Sequence, residues 1–201
     1  MVTSSSCPAP PRERNAAATR RAILDVALRQ FARESYENVG LREMGREAGV
    51  DPALIYRYFG SKEALFREVL HAGHDDSLLD DVDAAGLPAR LAALIVEKGG
   101  NAADPEQQAA KMERLFVILR SASSPHASAI ASAAINEDFI APIVALLDGE
   151  DARMRASLAL SVMIGSIIVR NMMSVSSLCE VDPDRVRTRL TALLETALDE
   201  A

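Results

Sequence analysis

Apolar residues recur at intervals of three and four along most of the chain, which is the spacing of the buried face of an α-helix. No segment alternates apolar and polar residues as a half-buried strand does, and no internal repeat is present. The pattern therefore predicts an all-α fold of about nine helices. Their starts are predicted near Thr19, Leu41, Pro52, Ser61, Pro88, Pro105, Pro125, Asp151 and Pro183.

The stretch from Leu41 to Phe59 predicts two short helices joined by a glycine turn. Gly49 follows the first helix at the position where a chain leaves a helix through the left-handed conformation. Asp51 can cap the free amides of a second helix, and Pro52 suits its first position because no amide donor is needed there. At Gly45, where the helices cross, a side chain larger than a methyl would push them apart. This pattern predicts a helix-turn-helix, with an ordinary αα-corner inside a helical core as the alternative.

The run from Thr19 to Leu70 contains the string Y-x-Y-F-x-S-K-E-A-L-F, here Tyr56 to Phe66. In that string and in its core spacing, the run resembles the DNA-binding domain of the TetR family of transcriptional regulators. Two departures stand out: family members usually carry a hydroxyl residue where Val39 and Gly40 lie, and alanine where Gly45 lies. The first departure removes a cap and a phosphate contact, and the second loosens the second helix by about 1 kcal/mol. Neither disturbs the core spacing.

The resemblance implies a sequence-specific DNA-binding transcriptional regulator, by family default a repressor, that binds a twofold-symmetric double-stranded operator as a homodimer. It also implies a small-molecule effector between the fourth and eighth helices, whose binding separates the recognition helices. The expected organisation is a disordered N-terminal arm (1–17), a three-helix helix-turn-helix DNA-binding domain (18–62) and a helical ligand-binding and dimerisation domain (63–201). A degenerate regulator that has lost DNA binding is the alternative.

Candidates for contact with DNA lie in and around the second helix of the motif. Pro52 and Ala53 would face base edges, where Ala53 can touch a thymine methyl. The other candidates are expected to contact phosphates or, for the first of them, a guanine edge: Arg42, Tyr56, Tyr58 and Lys62. Tyr56 as a core aromatic and Lys62 as an idle surface lysine are the alternatives. Either a minor-groove arm or a solvated tail is expected for Arg12, Arg14, Arg20 and Arg21.

The last two predicted helices carry the sequence argument for a dimer. The eighth, from about Asp151 to Ser174, is apolar nearly all round and must be covered on every side. The ninth, from about Pro183 to Asp199, presents one apolar stripe. Packed against their twofold copies, the two helices would form a four-helix bundle; closing the core of a single chain is the alternative. The predicted interface residues are Leu158, Val162, Gly165, Val186, Leu190 and Leu194.

Candidates for effector contact are polar residues within apolar helices, together with adaptable apolar residues. They are Met112, Phe116, Arg120, Asn136, Met163, Arg170 and Asn171. For the polar members, solvent exposure or a satisfied salt bridge is the alternative. For the apolar members, the alternative is ordinary core packing.

Charge and composition agree with a DNA-binding protein once they are divided by region. The formal net charge is −7, but residues 1–72 carry 11 Lys or Arg against 9 Asp or Glu, which leaves −9 on the remainder. A positive end suits phosphate, and an acidic remainder limits non-specific binding to DNA. Cys7 and Cys179 are too few for a disulfide scaffold, which fits the cytoplasm. The apolar run from Ala156 to Val169 is shorter than the roughly 20 residues of a membrane span, so no membrane is expected.

An enzyme is not expected, although one cluster of metal-ligating residue types is present. His71, His74, Asp75 and Asp76 lie within six positions, as a metal-dependent hydrolase would need for part of its site. No further ligand with recognisable spacing lies nearby, and the chain carries neither a glycine-rich phosphate loop nor a G-x-S-x-G motif. No cofactor is therefore expected.

Overall fold

The computed structural model describes residues 11–72, 79–97 and 105–200. In these ranges the regular structure is helical, as the apolar spacing predicts. The helices are α1 (Pro11–Arg33), α2 (Leu41–Ala48), α3 (Pro52–Phe59), α4 (Lys62–His71), α5 (Leu87–Glu97), α6 (Pro105–Ser121), α7 (Pro125–Ile135), α8 (Ala141–Val144), α9 (Ala152–Ile167), α10 (Ser176–Cys179) and α11 (Pro183–Leu198). Two π-helical turns, Asn136–Ile140 and Ile168–Met172, follow α7 and α9. The predicted eighth helix is thus α9 with its π-helical turn, and the predicted ninth is α11.

The chain forms two compact units, and the first comprises residues 1–73 and 112–131. Its core is built by α1 to α4 around aromatic contacts, because the Phe31 and Phe66 rings meet edge to face with centroids 4.8 Å apart. Its buried side chains include Ile23, Ala27, Phe31, Met44, Ile55, Phe59, Leu65 and Phe66. The predicted domain boundary at residue 62 differs from this division, since α4 buries one face in the first unit and a later segment of the chain returns to it.

The second unit comprises residues 74–111 and 132–201. Its core is built mainly by α5, α9 and α11, with α8 alongside α9. Ala156 and Ala159 are fully buried on α9, and their small side chains allow neighbouring helices to approach it closely. Other core members are Leu87, Leu91, Ile95, Ile143, Met163 and Leu194.

A buried arginine joins the two ends of this second unit. The Arg155 side chain is only 6% exposed and donates from Nε to Oδ1 of Asp151 at 2.8 Å. Its Nη1 donates to the carbonyl of Leu198 at 2.8 Å, and its Nη2 donates to the carbonyl of Asp148. A buried guanidinium is tolerated when its charge and its donors are satisfied in this way. Arg155 therefore ties the start of α9 to the end of α11.

Helix α1 begins earlier than the sequence pattern predicted. It starts at Pro11 rather than near Thr19, so residues 11–17 of the expected disordered arm are helical. The segment 16–18 is three alanines, which have the highest helix propensity, and a helix formed there needs no buried face. The apolar spacing missed it because the first buried side chain is Ile23. Residues 1–10 lie outside the described residues.

Two helical stretches are long and apolar enough, by length and composition, to cross a membrane: Pro125–Val144 and Ala152–Met172. The second is longer than the apolar run predicted from sequence, because Arg170 lies in a π-helical turn that continues the helix instead of ending it. The core helix of a soluble protein meets the same test. Ala152–Met172 contributes Ala156 and Met163 to the core of the second unit.

Replacement of Gly49 by alanine should lower the free energy of unfolding by about 1–2 kcal/mol, because its φ of 67° places an L-residue in the left-handed region. Urea unfolding followed by circular dichroism measures the change. The matched variant is Gly40→Ser: this glycine precedes α2 with extended φ and without a side-chain cap, so serine should gain a few tenths of a kcal/mol. Equal effects at the two positions would contradict this account of the turn.

Candidate nucleic-acid interface

The turn between α2 and α3 has the geometry that the sequence predicts. Gly49 adopts φ 67° and ψ 31°, and the amide of Val50 donates to the carbonyl of Gly45 at 2.9 Å. Asp51 Oδ1 then accepts a hydrogen bond from the amide of Ala53 at 2.7 Å, which caps α3 with Pro52 in its first turn. The direction of α3 is therefore set by local hydrogen bonds and by one left-handed glycine.

Gly45 is constrained more tightly than the sequence suggested. A Cβ atom at this position would lie 2.9 Å from the carbonyl oxygen of Val50 and 3.2 Å from Cγ of Pro52. The sequence analysis allowed a methyl group here, but even a methyl would force the backbone to shift. The absence of a side chain thus has a packing role that compensates for the low helix propensity of glycine.

Helix α3 is anchored by one face and open on the other. Ile55 and Phe59 are buried, with 1% and 6% of their surface exposed. Tyr56 is 56% exposed, so the alternative that it is a core aromatic is wrong. Ala53 and Arg57 are also exposed, whereas the predicted contacts Pro52 and Tyr58 are half-buried. Arg42 is exposed at the start of α2.

Arg57 is a residue that the sequence analysis did not name. It follows Tyr56 directly and is exposed beside it on α3. The signal was available, because positions 53, 56 and 57 share one side of a helix at 3.6 residues per turn. The family string specifies the tyrosines on either side of Arg57 but leaves the position of Arg57 itself variable, so the resemblance gave no reason to name this residue.

Lys62 is positioned by specific contacts. Its Nζ lies 4.6 Å from the centre of the Tyr36 ring and donates to the carbonyl of Glu37 at 3.4 Å. Burial lowers the pKa of Lys62, while the charge of Glu37 acts in the opposite direction. The ammonium group is therefore held at the start of α4, against the loop that contains Tyr36 and Glu37.

The predicted arginine arm is only partly described. Arg20 forms a salt bridge with Glu68, and its guanidinium lies 4.8 Å from the centre of the Phe59 ring. These contacts hold Arg20 against the first unit, while 41% of its side-chain surface stays exposed, so its role as a minor-groove contact stays a prediction. Arg21 is exposed on α1. The side chains of Arg12 and Arg14 lie outside the described residues.

Three hydrogen bonds attach the segment 112–131 to the DNA-binding head, which we define as α1 to α4 with the loops between them. Arg114 Nη2 donates to the carbonyl of Ala72 at 2.9 Å, and Arg120 Nε donates to the carbonyl of Ala32 at 2.8 Å. Both carbonyls lie at helix C-termini, where cationic donors are favourable. Ser124 Oγ donates to the carboxylate of Glu37. Arg120 was predicted to contact an effector; its side chain instead bonds to α1.

The remaining effector candidates are scattered. Asn136 Oδ1 accepts from Arg153 Nη1 at 3.0 Å on the surface, and Met163 is buried in the core of the second unit. Met112 and Phe116 lie in the first unit, where Phe116 is 38% exposed. Asn171 is half-buried in the π-helical turn.

Arg170 alone among the candidates lines a described cavity of the second unit, whose volume is about 370 Å³. The cavity lies between α5, the π-helical turn Ile168–Met172, α10 and α11.

The predicted dimer residues divide into two groups. Val186, Leu190 and Leu194 are at most 8% exposed and belong to the core of their own chain, so their assignment to an interface is wrong. The stripe on α11 is filled by α5 and α9 of the same unit. On α9, Leu158 is 49% exposed, Val162 is half-buried, and a Cβ at Gly165 would meet nothing within 4 Å.

Other apolar residues of the second unit are also exposed, and Met154, which lies close to this second group in sequence, is one that the sequence analysis did not name. Met154 is 56% exposed and lies one helical turn before Leu158. Leu193 on α11 is 57% exposed. The spacing of Met154, Leu158, Ser161 and Gly165 follows one side of a helix, which could have separated them from the buried positions.

Within the described ranges, no group of three or more His, Cys, Asp or Glu side chains is placed to hold a metal ion. His71 lies in the last turn of α4. The other three members of the predicted cluster, His74, Asp75 and Asp76, lie outside the described residues. The chain's matches to known proteins bear on its class more directly.

Two family models match the chain. Residues 23–69 match the model described as bacterial regulatory proteins, tetR family, and residues 85–198 match a tetracyclin repressor-like C-terminal domain. The transcriptional regulator BetI of Rhizobium meliloti is 31% identical over 160 residues, covering 77% of this chain and 79% of that protein.

Solved structures show the same fold. NalD of Pseudomonas aeruginosa, a secondary repressor of the MexAB-OprM multidrug efflux pump, aligns with a TM-score of 0.66 at 18% identity over 92% of this chain and 98% of that one. A transcriptional regulator of Saccharomonospora viridis in complex with choline aligns with a TM-score of 0.58 at 20% identity, over 92% of this chain and the whole of that one. At these identities, the likeness concerns the fold.

Replacement of Ser124 by alanine should raise the pKa of Glu37, because the Ser124 hydrogen bond is the largest of the contacts that hold this pKa below 4.5. Since the folded-state pKa is lowered, the contribution of Glu37 to stability is present above its unfolded pKa and is lost as pH falls through the folded value. NMR titration of the Glu37 carboxyl measures the shift.

The control for this titration is Ser123→Ala, whose hydroxyl bonds instead to the carbonyl of Arg120. This variant should leave the pKa of Glu37 unchanged. An unchanged Glu37 titration in Ser124→Ala would show that the hydrogen bond does not hold the carboxylate.

Proposed function

Since the chain belongs to the TetR family of DNA-binding transcriptional regulators, we propose that it acts in the cytoplasm as a homodimeric repressor that a small molecule releases from a twofold-symmetric operator. The observation that supports this most is the exposure of Tyr56 on a helix whose opposite face is locked into the head by Ile55 and Phe59. A short helix held in this way can enter a major groove without unfolding its own support.

We propose that the exposed residues of α3 and those around it fall into two groups with different roles in binding DNA. Pro52 and Ala53, at the start of α3, face base edges, where small apolar groups suit a thymine methyl. The polar and cationic side chains around them contact phosphates and fix the register on the duplex. These are Arg42, Tyr56, Arg57, Tyr58 and Lys62.

The proposed dimer forms through the exposed side of α9. Met154 and Leu158 supply apolar area, while Ser161 and Gly165 leave room for a second helix to approach. A twofold interface uses the same patch on both chains, so one such stripe is sufficient. Two recognition helices carried by one dimer read two half-sites, which gives the specificity that one helix lacks.

Release by an effector is supported by the way the chain is connected. Helices α6 and α7 each begin in one unit and end in the other. The segment 112–131, which contains the end of α6 and the start of α7, makes the three hydrogen bonds from Arg114, Arg120 and Ser124 to the DNA-binding head. We propose that an effector bound in the second unit shifts these helices and so reorients the head. The choline complex of the Saccharomonospora viridis protein makes a small-molecule effector a natural expectation here too.

Replacement of Tyr56 by alanine should weaken operator binding by about tenfold or more, because a hydrogen bond to a charged phosphate is lost at an exposed position. Fluorescence anisotropy with a labelled operator fragment, over a series of salt concentrations, measures this loss. Thr196→Ala, an exposed change on α11, should bind like the unaltered protein. If the unaltered protein binds no DNA, or binds every sequence equally, the chain is a degenerate regulator and not a repressor of its own operator.

Replacement of Leu158 by glutamate should convert the dimer into monomers, since it places a charge at the centre of the proposed apolar interface. Sedimentation velocity and light scattering distinguish the two states, and operator affinity should fall with the loss of the dimer. Thr188→Glu introduces the same charge on the exposed side of α11 and should remain dimeric. A Leu158→Glu protein that is still dimeric would place the interface elsewhere.

A further inference from the structure

The cavity of the second unit has an unusual lining. Its walls are mostly apolar, and they include Ile95, Leu178, Val181, Val186, Leu190 and Leu193. Its polar groups are three arginines, Arg170, Arg185 and Arg189, and the hydroxyls of Ser166 and Ser177. No acidic side chain and no aromatic ring is among these lining residues. The volume of about 370 Å³ is at the lower end of the range for small-molecule sites.

Arg170 is the buried member of the three, with 9% of its surface exposed. Its Nη1 donates to the carbonyl of Val96 at 3.4 Å, a long and neutral contact. The carbonyl of Arg170 accepts a hydrogen bond from Sγ of Cys179, which connects the π-helical turn to α10. A buried guanidinium is expected to have an anionic partner, because burying an unpaired charge is costly.

Two arginines of the second unit outside the cavity do have a carboxylate partner. Arg155 pairs with Asp151 at 2.8 Å, and Arg187 pairs with Asp184 at 3.0 Å. In the described part of the chain, no carboxylate lies within salt-bridge distance of Arg170, Arg185 or Arg189. Arg185 and Arg189 are also one helical turn apart on α11, where like charges repel each other. Three cations therefore converge on an apolar cavity that supplies no counter-charge.

We propose that this cavity binds an amphipathic carboxylate with an unbranched aliphatic body. The carboxylate is held by the guanidinium of Arg170, which can bind it through two parallel hydrogen bonds, with Ser166 and Ser177 as further donors. Arg185 and Arg189 are both exposed near the mouth of the cavity, and their positive charges balance the negative charge of the carboxylate. The aliphatic body packs against the leucine and valine side chains.

The same lining argues against a cationic ligand such as choline. Quaternary ammonium groups are recognised by the faces of aromatic rings and by carboxylates, and the lining contains neither. The ligand proposed for this cavity therefore differs in charge from the choline bound in the structurally similar complex. The proposal that the bound carboxylate also releases DNA rests on the function proposed above. The proposal that the carboxylate binds in the cavity does not rest on it.

Titration calorimetry of the full-length dimer with sodium decanoate, below its micellar concentration, tests the proposal. Decanoate should bind at one site per chain, and decyltrimethylammonium, with the same chain and the opposite charge, should not. Arg170→Met should weaken decanoate binding about tenfold or more, because the charged hydrogen bonds are lost. Arg189→Gln, an exposed change that leaves the fold unaltered, should weaken it less. Circular dichroism checks that Arg170→Met is folded.

The matched control is Arg187→Gln, on the same helix but paired with Asp184 and outside the cavity lining; it should bind decanoate normally. The proposal is overturned if the folded protein binds no decanoate, if it binds the ammonium analogue equally well, or if Arg189→Gln and Arg170→Met bind as the unaltered protein does. One further outcome overturns the proposal: Arg170→Met and Arg189→Gln dissociate the dimer, and the unaltered protein binds no decanoate. In that case the two arginines would bind a carboxylate of the partner chain.

DNA release is measured separately, by anisotropy with the operator fragment in the presence of decanoate. Decanoate that binds with the expected dependence on Arg170 but leaves operator affinity unchanged would uphold the cavity as a carboxylate site and contradict its role as the effector site. Failure of the unaltered protein to bind any operator would instead contradict the proposed function and leave the calorimetric result intact.

Discussion

The DNA-binding surface depends on one steric constraint, the crossing of α2 and α3. The chain can turn this sharply because Gly49 adopts the left-handed conformation and because Gly45 has no side chain to collide with the carbonyl of Val50. Asp51 then starts α3 at once through its bond to the amide of Ala53. With the direction of α3 set, Ile55 enters the core and Tyr56, its neighbour in sequence, faces solvent. The turn therefore determines which face of α3 is exposed to solvent.

The head is held by more than its own helices. The segment 112–131, distant in sequence, places donors on the C-terminal carbonyls of α1 and α4 and on the carboxylate of Glu37. The two carbonyls lie at helix ends, where carbonyls lack partners within the helix, so the bonds from Arg114 and Arg120 satisfy them and place the cationic groups favourably in the helix dipole. Helices α6 and α7 each have a further portion in the second unit.

Helix α9 combines several environments along one apolar sequence. Ala156, Ala159 and Met163 close the core of the second unit, while Leu158 remains exposed. Its π-helical continuation carries Arg170 into the apolar cavity. The largely apolar sequence of this helix therefore serves both a buried face and an exposed face, and Arg170, the charged residue of its continuation, lines the cavity proposed to bind an anion.

The sequence by itself determined the features that depend on neighbours in the chain. The turn at Gly49, the cap at Asp51, the helical fold and the TetR motif from Tyr56 to Phe66 were all readable, because capping, glycine conformation and helix periodicity act over a few residues. Only the tertiary structure decided which surface covers each apolar stripe. Val186 and Leu190 of α11 face their own core, and Arg120 bonds to a carbonyl 88 positions away in sequence. A periodic pattern shows that a face is buried, but the partner that buries it is chosen by packing between distant segments, which local spacing does not record.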